Sequence, residues 1–250
     1  MGAVALGIIA VTILATSFLS GIFGMAGGLI LLGVLLIWLD VAPAMVLFGT
    51  IQTAANGWRA TLWRRHVHWS IIWRYLIGAC AAFAVMRAIA FVPDKAMLYL
   101  GLGLIPFAAY ALPKALTPDI TRPWGPYICG FVILVLQLLA GATGHILDIF
   151  FQKSALDRRA IVGTKAVTQA TGHLMRIAYF GSFASAYDAS IPGWAYGGAL
   201  LLAVAGTTLA GFVLERMTDL NFRTWSRRVT IAISLVYLTR GLWLLVYPEQ

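Results

Sequence analysis

Ser20-Gly21-Ile22-Phe23-Gly24-Met25-Ala26-Gly27-Gly28 interrupts an apolar run over residues 3–38, and Ala140-Gly141-Ala142-Thr143-Gly144-His145 interrupts a second over residues 125–151. A run of about 20 apolar residues is the length of a membrane-crossing helix. Each glycine inside such a helix costs about 1 kcal/mol and opens positive φ to the backbone. Two readings follow. Small residues let helices pack closely, or the helix breaks there and its freed backbone groups line a cavity. The recurrence favours a break: Gly21 and Gly24 are matched by Gly141 and Gly144, 120 positions later.

The rest of the chain sets these runs in a bilayer. Of 250 residues, 61% are hydrophobic and 11% charged, with a mean hydropathy of +0.87. A soluble domain carries about 25% charged residues, and a chain of this size cannot bury so much apolar surface in one core. Apolar segments are expected at residues 3–38, 43–63, 70–91, 95–113, 125–151, 159–183, 193–214 and 229–247. No linker holds a soluble domain, so residues 1–250 read as one membrane domain. The net charge of +9 is explained by Lys and Arg gathered in cytoplasmic loops. No basic domain stands apart to bind nucleic acid. Cys80 and Cys129 lie in apolar stretches with no disulfide or metal-ligand spacing, and the first residues lack the basic start of a cleaved signal. Eight tryptophans near segment ends (58, 63, 69, 73, 124, 194, 225 and 243) fit an interfacial belt.

The two halves also match beyond their glycines. Gln52, Asn56 and Arg59 are echoed 117 positions later by Gln169, His173 and Arg176. Repeat one covers approximately residues 1–115 and repeat two approximately 122–250. The loop after segment two holds Arg64, Arg65, His66 and His68, whereas the matching loop at residues 182–192 has no Lys or Arg and one Asp188. The loop after segment seven holds Arg216, Arg223, Arg227 and Arg228, and its match at residues 93–95 has one Lys. Basic loops face the cytoplasm, so matching loops face opposite sides. Eight full crossings would put them on the same side. The conflict disappears if segments one and five enter and turn back at their glycines. The expected fold is all-α: two inverted repeats, each a broken, re-entrant glycine-rich helix plus three transmembrane helices.

With these residues in view, the sequence resembles the TauE/SafE family of sulfite exporters and sulfonate permeases. The resemblance rests on Gly21-x-x-Gly24-x-x-Gly27-Gly28, on Gly49-Thr50, on Asp157-Arg158-Arg159 followed by Gly163-Thr164, and on the tandem halves. It implies a multipass transporter of sulfite, sulfonates and related organic anions in the bacterial inner membrane, working often outward. The chain departs from the family pattern at Ala26, at Gly144-His145-Ile146-Leu147-Asp148, and at Lys165, where a small hydroxyl residue is commoner.

Ionisable groups inside spanning segments are costly, about 2.5–3.5 kcal/mol each, and face a cavity or a partner. Lys165, Gln169, His173 and Arg176 fall at helical spacing and form one polar stripe; Gln52, Asn56 and Arg59 form a weaker second one. Facing each other, the stripes make a cationic, hydrogen-bonding path suited to an oxyanion. Thr164 adds a hydroxyl, and half-helix N-termini at Gly24, Gly27, Gly28 and Gly144 add backbone N–H groups. Arg59 and Arg176 have an alternative role as interfacial, snorkelling residues, and Lys165 has one as the ion-pair partner of Asp148. His145 and Asp148 share a helix face and are proton-coupling candidates. An intramembrane enzyme or metal-handling site built on His145, Asp148 and His173 is the alternative function. No nucleotide-binding loop or catalytic spacing is present, and no cofactor is expected. A homodimer would be ordinary for such a protein.

Overall fold

A computed structural model describes residues 2–23, 26–113, 116–183, 191–214 and 219–247; Gly24, Asp188 and Arg216 lie outside them. The described residues form ten α-helices: α1 (Ala3–Phe23), α2 (Ala26–Trp38), α3 (Val41–Leu62), α4 (Trp69–Ile89), α5 (Lys95–Ala111), α6 (Gly125–Ala140), α7 (Gly144–Phe151), α8 (Arg158–Phe180), α9 (Gly193–Leu214) and α10 (Asp219–Val246). Both glycine-marked segments are broken, the first into α1 and α2 and the second into α6 and α7. The expected segment bounds agree within a few residues except at α10, which begins ten residues before the apolar stretch. Apolarity marks the part of a helix that lipid or core must cover, and polar first turns extend beyond it.

Local chemistry explains the helix ends. Asp94 caps α5, its carboxylate accepting from the Met97 amide at 2.7 Å, and Asp157 caps α8 by accepting from the Arg159 and Ala160 amides at 2.8 and 3.0 Å. The amide bond from Ala160, joined by that from Arg159, holds the Asp157 carboxyl below the usual carboxylate range. A depressed folded-state pKa contributes stability above the unfolded value of about 4, and that stability is lost as pH falls through the folded value. Asp157→Ala is therefore expected to lower the melting temperature at pH 7. Melting curves at decreasing pH should show the gap to wild type closing below about pH 4.

At the other break, α6 ends on Gly141, with φ +83°. A side chain there is strained by about 1–2 kcal/mol in left-handed backbone, and Leu32 Cδ2 closes the space that a Cβ would need. Gly141→Ala should melt several degrees below wild type in detergent, and an unchanged midpoint would remove the turn from the account.

Helix α2 packs back along α1, with Gly27 against the Thr16 carbonyl and Ser20. The α6–α7 hairpin closes more visibly: the Ile120 amide, just before α6, donates to the Phe150 carbonyl near the end of α7 at 2.9 Å. The two ends of the second glycine-marked segment thus lie side by side. Helices α3 and α8 pack antiparallel, Gly49 lying beside His173 and Ile177 and Gly163 beside Trp63 and Val67. Helices α5 and α10 are also antiparallel, Gly103 facing Ser234 and Leu238 and Gly241 facing Leu100. On the flanks α1 pairs with α9 and α4 with α6. The latter pair crosses where Gly78 meets the Tyr127 carbonyl and Gly130 meets the Tyr75 carbonyl. Glycine lets the two backbones approach this closely.

Among the described residues, four helical stretches are long and apolar enough to cross a membrane: Val4–Ile22, Trp69–Ile89, Gly193–Val213 and Arg227–Val246. Helices α3 and α8 are as long but more polar. They sit in the centre of the bundle, where their polar groups meet protein instead of lipid. Trp69, Trp73, Trp124, Trp194, Trp225 and Trp243 are each more than half exposed near helix ends, as an interfacial belt requires.

Candidate functional site

The two hairpins meet α3, α4 and α8 at a small central cavity. Gly28 and Leu29 from the first turn of α2 line one wall, and Gly141, Ala142, Thr143, Gly144 and His145 at the start of α7 line another. Gln52 of α3, Gln137 of α6, Gln169 and His173 of α8 and Tyr75 of α4 supply its polar lining. The N-terminal turns of both short half-helices therefore flank one space, and their amides have no partner within the helix. About 30 Å³ is open to the centres of water-sized molecules. One water takes about 10–15 Å³ by that measure, so the cavity has room for two or three waters or for a single four-atom oxyanion.

Hydrogen bonding around the cavity is uneven. Gln137 Nε2 lies 3.2 Å from His173 Nδ1, and Arg176 Nη1 lies 3.4 Å from the same nitrogen. A guanidinium only donates, so Nδ1 is the acceptor, which places the imidazole proton on Nε2. His145 Nε2 is 3.0 Å from the Thr230 hydroxyl, and its ring meets Tyr110 edge-on. By contrast, the side-chain amides of Gln52 and Gln169 make no hydrogen bond among the described residues, although Gln52 is only 9% exposed. Buried amides are almost always partnered. Two unspent amides, at positions matched between the halves, leave both donors and acceptors for a polar guest.

Six of the residues singled out in the sequence line this cavity: Gly28, Gln52, Gly144, His145, Gln169 and His173. Others stand behind it. Gly27 is packed against α1. Asn56 donates to the Gln52 carbonyl at 2.8 Å, and Thr164 Oγ1 accepts from the His68 amide at 3.0 Å, joining α8 to the start of α4. The cations are engaged elsewhere. Lys165 is ion-paired with Asp148, the rival role that the sequence offered. Arg59 Nη2 donates to the Ser20 carbonyl at 3.1 Å. Arg176 is wholly buried, so it does not snorkel; it donates to the carbonyls of Gln137, at 2.8 Å, and Gly141, and stacks over Phe48 at 4.9 Å. The stripe on α8 thus runs from Asp148, past the cavity, to the end of α6.

Gln137, Thr143 and Tyr75 line the cavity without having been picked out. A signal existed for Gln137, the lone side-chain amide in the apolar Gly125–Ala140 helix. Among the described residues no three metal-binding side chains gather. His145, Asp148 and His173 point to separate partners, Thr230, Lys165 and Gln137, and do not form the metal site weighed as an alternative.

A family model described as sulfite exporter TauE/SafE matches residues 8–237 of the chain. Comparison with curated proteins and with solved structures gives no match.

Proposed function

The chain belongs to the sulfite exporter TauE/SafE family, and on that premise we propose that it is a secondary transporter holding a small sulfur-containing anion such as sulfite between its two hairpin tips. Family membership and the four apolar spans make it an integral membrane protein of an anion-exporter type. The finer reading rests on one observation: the free amides of Gln52 and Gln169 face a cavity flanked by the N-terminal turns of α2 and α7. Amide donors at a half-helix N-terminus are a recurrent way to bind an anion at membrane depth. The His173 Nε2–H adds a third kind of donor.

Helix packing supports inverted repeats. Exchanging α1–α5 with α6–α10 in order turns the α1–α9 pair into α6–α4 and returns the α3–α8 and α5–α10 pairs to themselves. Those two self-paired contacts are antiparallel, as a twofold axis in the membrane plane requires. Repeats related by an axis along the membrane normal would pack them parallel. In this reading the first hairpin descends from the periplasmic side, the second rises from the cytoplasm, and six helices cross. The basic Arg64–His66 turn and the start of α8 adjoin each other on the cytoplasmic side of a bacterial inner membrane. Movement of one repeat against the other then opens the cavity alternately to each side.

Coupling is assigned to Asp148. It is 40% exposed and holds Lys165, so its protonation releases a positive charge beside the cavity. With Asp148→Asn, anion flux into proteoliposomes should no longer respond to an imposed pH gradient, whereas wild-type flux should.

The reading as a whole is tested by saturable flux in proteoliposomes with sulfite, thiosulfate, sulfoacetate, an arylsulfonate and acetate. Sulfite should be preferred, and the arylsulfonate, too large for the cavity, should fail to compete. A protein that moves none of them is not the transporter proposed here.

A further inference from the structure

Arg59 and Arg176 engage their own hairpins in the same way. Arg59 Nη2 donates to the carbonyl of Ser20, in the last turn of α1, and Arg176 Nη2 donates to the carbonyl of Gln137, in the last turn of α6. The arginines are 117 positions apart, and so are the two acceptors. Each half therefore uses an arginine on its third helix, α3 or α8, to cap the C-terminal end of its first half-helix. Arg176 also reaches the Gly141 carbonyl, at the break itself.

The electrostatic consequence concerns both ends of the broken helix. A helix carries about +0.5 charge at its N-terminus and about −0.5 at its C-terminus. A hairpin that turns inside the membrane brings both ends to a similar depth. The carbonyl end of α6 and the amide end of α7 border the same cavity, through Gln137 and Gly141 on one side and Gly144 on the other. Left alone, their fields nearly cancel, and the exposed carbonyls would suit a cation as well as the amides suit an anion. The guanidinium occupies the carbonyl end and supplies a full positive charge from behind it.

We infer that Arg59 and Arg176 determine the charge preference of the site without touching the substrate: by covering the carbonyl ends of α1 and α6, they leave only the amide ends of α2 and α7 to be read by the ligand. They are specificity-setting positioning residues. This inference rests on the anion-binding reading of the cavity given above.

A purely structural cap and an electrostatic one respond differently to substitution. Arg176→Lys keeps the charge and loses the fork; Arg176→Gln keeps one donor and loses the charge. Equilibrium binding of sulfite, in its doubly charged form, and of nitrite, singly charged, would be measured on the purified, monodisperse full-length protein. The Gln variant should bind sulfite on the order of tenfold or more weakly, with a smaller loss for nitrite, and the Lys variant should recover most of the sulfite affinity. If Arg176→Gln is not monodisperse, the same comparison on the partly exposed Arg59, Arg59→Gln against Arg59→Lys, decides the matter. Equal losses for the two anions, or equal behaviour of Lys and Gln variants, would overturn the electrostatic role while leaving the site intact. Wild-type protein that binds neither anion would overturn the site itself and this inference with it.

Discussion

Gly28→Val is expected to abolish anion binding and flux while leaving the protein folded. The argument turns on what a new side chain would meet. A Cβ at Gly28 lies 2.7 Å from Gln52 Nε2 and 3.7 Å from the Phe48 ring. The amide nitrogen is the far end of a flexible side chain and can rotate away. The cost to the fold is therefore small, within the range of an ordinary surface change. The cost to the site is large: the valine occupies a cavity with room for only one small anion, and displaces one of the two free amides that line it. Sulfite flux in proteoliposomes should fall by about two orders of magnitude or more, since a lost charge-assisted bond and a blocked volume together exceed 2.7 kcal/mol. The melting temperature should stay near that of wild type. Full flux in a folded Gly28→Val protein would place the substrate elsewhere.

Arg176→Leu is expected to have the largest effect on stability. This guanidinium is fully buried, donates to the carbonyls of Gln137 and Gly141 and stacks on Phe48. Leucine restores apolar contact with Phe48 but takes the guanidinium from the Gly141 carbonyl and leaves the Gln137 carbonyl with only the Gly141 amide, at 3.2 Å, where lipid and core provide no water to replace the lost donor. A buried carbonyl left short of its donor costs about 1–3 kcal/mol, and with the stacking on Phe48 also lost the sum is a large fraction of the total stability of many domains. Fluorescence-detected gel filtration of heated samples should show little monodisperse Arg176→Leu protein at temperatures that wild type survives. Arg59→Leu should cost less, because Arg59 is only partly buried and serves a single carbonyl of α1. A thermally normal Arg176→Leu protein would mean that the carbonyls at Gly141 are satisfied in some other way.

The membrane segments were legible because hydropathy reports directly what must be kept from water, and both glycine clusters marked true helix breaks. The offset of 117 positions between Gln52 and Gln169 led to residues that do share one cavity. What the stripe on α8 concealed was the direction in which its charges are spent. A helical repeat places Lys165, Gln169, His173 and Arg176 on one face, yet that face is longer than the cavity. Its two ends meet Asp148 and the α6 carbonyls instead. Those carbonyls are backbone atoms and leave no trace in a residue pattern. Gln137 was obscured for a related reason: a single amide in an apolar helix resembles a tolerated polar residue until the helix that it faces is known. The expectation of a cationic path becomes a neutral, amide-lined pocket with its cations in a second ring.

That arrangement gives the central claim its most direct test, equilibrium binding of radiolabelled sulfite to purified wild type and to the double variant Gln52→Leu/Gln169→Leu. Both substitutions keep side-chain volume and remove only the unspent amides, so the fold should be retained. Saturable binding to wild type that is lost in the double variant is the predicted result. Equal saturable binding by both proteins would contradict it, because the anion would then be held by groups outside the cavity between the hairpins.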